Sequence, residues 1–198
     1  MTFVAATGNA HKLAEIARIL APLGHKVISQ QEAGVDCAPE ENGATFAENA
    51  RIKAEAVCKM ADRPAVADDS GLCVDALDGA PGIYSARYAG ADATDDDRIA
   101  KLLDALDGLP REKRTARFVS AVCCLFPDGR EIAVQGECEG FVAFAKEGAD
   151  GFGYDPIFIE AVTGKTFAAL SGAEKDACSH RGKALRALAQ ALATTGRL

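Results

Sequence analysis

Tryptophan is missing from this 198-residue chain, and aromatic residues of any kind make up only 6% of it. A platform for stacking the bases of a long single strand has little to be built from. A net charge of −7 points the same way, against a general affinity for nucleic-acid backbones. A local cluster of Lys and Arg can still oppose that sign around a small anion. Long apolar runs are absent, and none approaches the roughly 20 residues of a membrane span. The opening Met-Thr-Phe-Val-Ala-Ala has neither the basic segment nor the apolar stretch of a secretory signal, so the expected location is the cytoplasm. Histidine occurs three times, at 11, 25 and 180, never in zinc-ligand spacing. Seven cysteines are present, an odd number with no C-x-x-C pair, which reads as reduced and mostly buried thiols. No G-x-x-x-x-G-K-[ST] phosphate loop occurs either.

What remains is a well-patterned globular chain, 48% apolar and of a length suited to one domain with a substantial core. Thr2 to Ala6 reads as a buried strand, and Lys26 to Ser29 as a second. Leu13, Ile16, Ala17 and Leu20 recur on one face and predict a helix from about Ala10 to Leu20. Thr45-Phe-Ala-Glu48 has the form of a capping box and opens a helix to about Met60, with Phe46, Ala50, Ala54 and Val57 inward. Thr94 caps another, with Ile99, Leu102, Leu103 and Leu106 on its core side. Arg117–Phe126 and Glu131–Gly140 flank the turn Pro127-Asp-Gly-Arg130 and predict a hairpin. Ser171-Gly-Ala-Glu174 is a further capping box, and Ala184, Leu185, Leu188 and Leu192 mark a C-terminal helix. Strands alternating with helices, plus one hairpin, give an α/β fold with a mixed sheet and flanking helices. No linker argues for a domain boundary, so residues 1–198 are expected to form a single domain.

Several clusters carry chemistry. Pro64-Ala-Val-Ala67 is a short apolar run that ends on two adjacent carboxylates, Asp68 and Asp69. Side by side they repel, and a divalent cation or a shared proton is the usual remedy. Thr7-Gly-Asn-Ala-His-Lys12 joins the first strand to the first helix, a junction that aims backbone N–H groups and a helix dipole at an anion. Lys12 adds a full charge there. Asn49 and Lys53 share a helix face, and Glu40-Glu41-Asn42-Gly43 just before that helix can offer a carboxylate to a metal. Asp150 to Phe158 packs glycines, aromatics, an Asp and a Pro into one turn, a flat slot for a planar base. Lys175 and Ser179-His-Arg181 bring further cationic groups. Any one of these is commonly an ordinary surface feature.

Together they are not ordinary. Thr-Gly-Asn-x-x-Lys, Thr-Phe-x-Glu-Asn-Ala-x-x-Lys-Ala, Ala-Asp-Asp-Ser-Gly-Leu-x-Val-Asp, Gly-Ala-Pro-Gly-Ile-Tyr-Ser-Ala-Arg, Gly-Phe-Gly-Tyr-Asp-Pro-Ile-Phe and Ser-His-Arg occur in one order over about residues 3 to 190. In this the chain closely resembles the bacterial inosine triphosphate pyrophosphatases, the Ham1-like or RdgB-like family. The resemblance implies Mg²⁺-dependent hydrolysis of deaminated purine nucleoside triphosphates (ITP, dITP, XTP) to the monophosphate and pyrophosphate, which cleanses the nucleotide pool. It also implies a cytoplasmic homodimer with a two-lobed α/β fold, and an active site in the cleft between lobes. Neither a nucleic-acid polymer nor a membrane is an expected partner. Carried over by motif, Thr7, Gly8, Asn9, Ala10, His11 and Lys12 would hold phosphates, with Lys53 a catalytic cation beside them. Glu40 and Asp69 would bind Mg²⁺, and Asp69 would accept a proton from the attacking water; the register leaves Glu41 as the alternative to Glu40. Ser70, Phe152, Gly153, Tyr154 and Asp155 would bind substrate, and Lys175, His180 and Arg181 would face the base.

A 6-oxo purine presents an acceptor where adenine presents a donor, so a pocket that donates there rejects adenine strongly. Backbone N–H groups or His180 and Arg181 are the expected donors. Two rival readings share part of this pattern: a Maf-like pyrophosphatase for pyrimidine or modified nucleotides, and a nucleotide sensor without turnover. The Ser-His-Arg and Gly-Phe-Gly-Tyr-Asp segments speak against the first. A water-activating Asp69 speaks against the second.

Overall fold

The computed structural model describes residues 1–195. Six strands hydrogen-bond in the order β2-β1-β3-β4-β5-β6, formed by Thr2–Ala5 (β1), Lys26–Ser29 (β2), Ala65–Val74 (β3), Thr115–Leu125 (β4), Glu131–Val142 (β5) and Phe158–Glu160 (β6). β1 runs parallel to β2 and β3, whereas β5 and β6 are antiparallel, so the sheet is mixed as the sequence pattern predicts. The helices are Ala10–Leu20 (α1), Phe46–Ala61 (α2), Asp95–Ala105 (α3), Gly172–Cys178 (α4) and His180–Thr195 (α5).

The chain divides into two compact units. The first takes in Met1–Asp69, Ser120–Gly136 and the chain from His180 onward; the second takes in Ser70–Val119 and Glu137–Ser179. In the first unit one apolar cluster packs Phe3, Ile16 and Leu20 with Val122, Phe126, Leu185 and Leu188. Another packs Val4 and Ile28 with Ala50, Ala54 and Val57 of α2. The second unit has its own core, where Leu72, Ile99, Leu102 and Leu106 meet Phe118, Phe158 and Phe167. The 3.6-residue spacing read from the sequence selects these helix faces correctly.

The three capping boxes form as their sequences predict. Thr45, Thr94 and Ser171 each accept from the backbone N–H three residues on, and Glu48, Asp97 and Glu174 return the bond. Each cap contributes about 1 kcal/mol and fixes where its helix begins.

One element differs from the sequence reading. The apolar run before the aspartates does not end at Asp68: β3 continues to Val74, so both carboxylates sit in mid-strand. Leu72 and Val74 beyond them are fully buried and carry the strand into the second core. The C-terminal helical stretch is split at Ser179, whose extended backbone (φ −68°, ψ 158°) separates α4 from α5. Strand β6 has only 3 residues and follows a proline, too short for a periodic signal.

Candidate active site

Adjacent residues on a strand point to opposite faces, and Asp68 and Asp69 enter two different networks. Asp68 is fully buried. Its carboxylate receives Lys12 Nζ at 2.6 Å, Ser120 Oγ at 2.6 Å, and Arg181 Nε and Nη2 at 3.3 Å each. Arg181 Nη1 in turn pairs with Glu15. Burial opposes ionisation of Asp68, but the charges of Arg181 and Lys12 outweigh it and hold the carboxyl well below its usual range. Burial likewise pulls the Lys12 ammonium down, with Asp68 resisting. Arg181 is desolvated too, yet Asp68 and Glu15 more than compensate and raise it.

Asp69 belongs to the second network. Lys53 Nζ lies 2.9 Å from Asp69 Oδ1 and 3.0 Å from Glu41 Oε2, and Asn49 Nδ2 donates to Asp69 Oδ2 at 3.3 Å. Burial raises the Asp69 carboxyl, opposed by the Lys53 charge and reinforced by nearby Glu41. Desolvation of Lys53 is more than offset by Asp69, Asp68 and Glu41, so its ammonium is raised. Lys12 and Lys53 also feel one another's charge, so the two networks act as one electrostatic site.

Local chain geometry explains why these groups meet. Asn9 caps α1, its Oδ1 accepting from His11 N at 2.9 Å and Lys12 N at 3.1 Å, which sets Lys12 on the first turn. Gly8, Asn9, Ala10 and His11 are exposed at that junction, and Thr7 Oγ1 accepts from Asn9 N. The acidic turn is fastened to α2 by Gly43 N, which donates to Asn49 Oδ1 at 2.8 Å. A side chain at Gly43 would lie 2.7 Å from Asn49 Oδ1, so only glycine permits this approach. It delivers Glu41 to Lys53, whereas Glu40 is exposed. In the structure Glu41, the alternative to Glu40, is the carboxylate that shares Lys53 with Asp69. Asp68, Ser120 and Glu15 are partners that motif reasoning did not assign to the site. Only the Asp-Asp repulsion hinted at the first.

The second unit gathers another set. Lys175 and Asp155, both buried, pair at 2.6 Å, and Asp155 Oδ2 also accepts from Phe152 N at 2.9 Å. Lys175 Nζ stands 4.8 Å from the centre of the Phe152 ring. Gly151 adopts φ +82°, and a Cβ there would fall 2.1 Å from Asp155 Oδ2, so this turn depends on glycine. Tyr154 is buried, its hydroxyl on the Ser85 carbonyl. Ser70 follows Asp69 on β3; His180, which belongs to the first unit, is buried at the start of α5.

A carboxylate pair sharing an ammonium is a hard-oxygen donor set. Among the described residues no group of three or more His, Cys, Asp or Glu is arranged to hold a metal. Two carboxylates are what Mg²⁺ ordinarily takes from a protein, with the other positions left to water and substrate phosphates. Charge gives the same answer. Glu15, Glu41, Asp68 and Asp69 set four negative charges against the three of Lys12, Lys53 and Arg181. A polyanion would not enter such a cluster readily, whereas a divalent cation inverts its sign.

A sequence profile described as the Ham1 family matches residues 3–191. The chain belongs to the Ham1 family. A dITP/XTP pyrophosphatase of Yersinia pseudotuberculosis is 50% identical over 191 residues, 96% of either chain. One from Escherichia coli O157:H7 is 49% identical over the same span. Among solved structures, a HAM1 protein from Coxiella burnetii superimposes with a TM-score of 0.88 at 42% identity, covering 98% of this chain and 99% of that one. The Ham1 fold therefore extends over essentially the whole chain, in agreement with the mixed α/β sheet.

Proposed function

We propose that this Ham1-family chain hydrolyses deaminated purine nucleoside triphosphates, dITP, ITP and XTP, to the monophosphate and pyrophosphate. The names of its relatives support the reaction class. The observation that carries it to this chain is the sharing of Lys53 between Asp69 and Glu41. A triphosphate brings about four negative charges, and its cleavage needs cations on the departing pyrophosphate and an oriented water. Lys12 and Lys53 supply the first. Asp69, oriented by Asn49 and Lys53 and raised by burial, is suited to take the proton of the second. Mg²⁺ held by Asp69 and Glu41 would neutralise triphosphate charge and help orient the nucleophile.

Arg181 acts in this reading by holding Asp68, and through it Lys12, because its fork is directed at Asp68 and Glu15. Phe152, Asp155 and Lys175 of the second unit are assigned to the purine side. Cleansing of the nucleotide pool, a homodimer and a cytoplasmic location follow from the family resemblance. Among the described residues no helix is long and apolar enough to cross a membrane.

The test is a side-by-side profile of ITP, XTP, GTP and ATP with Mg²⁺, with products separated by ion exchange. The expected result is monophosphate plus pyrophosphate from ITP and XTP, with GTP and ATP slower by orders of magnitude. Release of orthophosphate and a diphosphate would contradict the proposal.

A further inference from the structure

The segment Gly79–Arg87 takes no part in the chemistry above, yet it is one of the most distinctive stretches of the sequence. Its core is a 3₁₀ turn over Gly82–Arg87. Ser85 is buried there and works with both ends. Its hydroxyl donates to the Gly82 carbonyl at 2.6 Å and accepts Leu72 N–H at 2.9 Å, on the strand that carries Ser70. Its carbonyl accepts the Tyr154 hydroxyl at 3.0 Å.

A second anchor lies next to the first. Asp95 Oδ2 accepts Gly153 N–H at 2.7 Å. Asp95 also pairs with Arg98, whose Nη1 donates to the carbonyls of Ala86 at 2.9 Å and Ala93 at 2.6 Å. Capping does not account for this carboxylate, because Thr94 and Asp97 already cap α3. Gly153 has no side chain with which to fix itself, and at φ +60° it sits where few residues do. With Gly151 also at positive φ, the turn from 151 to 155 would be poorly defined on its own. Two consecutive residues of it are instead held from outside, one by backbone and one by phenol. Burial pushes the Tyr154 hydroxyl up, so it remains a donor throughout the neutral range.

We propose that Asp95, braced by Arg98, and Ser85 are positioning residues that fix the Phe152–Asp155 turn and so set affinity and selectivity at the purine end of the ligand. Neither touches the ligand; both act through the turn. The inference rests on reading that turn as the purine-side contact.

The experiment compares the two ends of the ligand separately. Inosine monophosphate and inorganic pyrophosphate, each with Mg²⁺, are titrated calorimetrically into wild type, Asp95→Ala and Asp95→Asn. Misplacing the turn should weaken inosine monophosphate by roughly tenfold to a hundredfold in Asp95→Ala. Pyrophosphate should bind within about twofold of wild type, because its contacts lie on Lys12 and Lys53. Asp95→Asn keeps a carbonyl acceptor for Gly153 N–H and should recover much of the loss. The ratio of kcat/KM for ITP over ATP should narrow in the same order. Equal weakening of both ligands in both variants, or no change in either ligand, would overturn the inference alone. A wild type that binds no inosine monophosphate would overturn the reading of the site, and this inference with it.

Discussion

Asp68 and Asp69 are neighbours on β3, yet each is matched by its own lysine, Lys12 at 2.6 Å and Lys53 at 2.9 Å. The repulsion expected of the pair is thus relieved by dividing two cations between them, with Arg181 reinforcing the buried member. The division also separates their surroundings: Asp68 is held among Lys12, Ser120 and Arg181, and Asp69 shares Lys53 with Glu41.

Lys53 links the two carboxylates of the proposed metal site, so its loss should be felt in turnover. Lys53→Ala is expected to lower kcat/KM for ITP by about 10²–10³-fold, the range for removing one group aimed at developing charge. Steady-state kinetics at saturating Mg²⁺ check this. A loss under threefold would remove Lys53 from the mechanism.

Glu40 and Glu41 offer an internal control. Glu41→Gln should raise the Mg²⁺ concentration for half-maximal activity by at least about tenfold, since even groups one shell further out cost that much. Glu40→Gln, at an exposed position, should stay within about twofold of wild type. A magnesium titration of each variant reads the difference, and the reverse order would restore Glu40 as the ligand.

Helix boundaries were the most legible part of the fold, because Thr45, Thr94 and Ser171 each announce a capping box with an acid three residues on. The extent of β3 was less so: two charges in mid-strand read as an ending unless their partners are known. Those partners, Lys12, Ser120 and Arg181, lie 52 or more residues away in the cases of Ser120 and Arg181, beyond the reach of local pattern. Motif spacing named Lys12, Lys53 and Asp69, which the fold brings into one electrostatic cluster. It left Glu41 as the alternative to Glu40, because which of them approaches Lys53 depends on one backbone bond from Gly43 to Asn49.

The Asp68 cluster makes a stability prediction with a definite sign. Its folded-state carboxyl is depressed, so its contribution is complete above the ordinary value of 3.8 and is lost as pH falls through the lower folded-state value. Asp68→Asn removes the carboxylate shared by partly buried Lys12 and buried Arg181, which keeps only Glu15, and should cost about 3–5 kcal/mol near neutrality. Urea unfolding of wild type and variant should show that gap closing only below pH 3.8. A gap that closes on going alkaline instead would contradict the assignment.

All seven cysteines are free. Burial pushes the Cys123 and Cys124 thiols up to about 12. Neither holds a useful fraction of thiolate at neutral pH, and the thiolate is the reactive form. A disulfide reagent should leave both unmodified in the folded protein, by peptide mass mapping, and label all seven after denaturation. Rapid labelling of either in the native state would mean that the strand opens far more readily than its packing implies.

In the proposed reaction Asp69 readies the attacking water in a site completed by magnesium. Pyrophosphate release from ITP, measured for wild type and Asp69→Asn with Mg²⁺ and with the metal chelated, tests it most directly. Wild type with Mg²⁺ is expected to release pyrophosphate, with a fall of at least about 10²-fold on chelation or on the substitution. Asp69→Asn turning over as fast as wild type would contradict it.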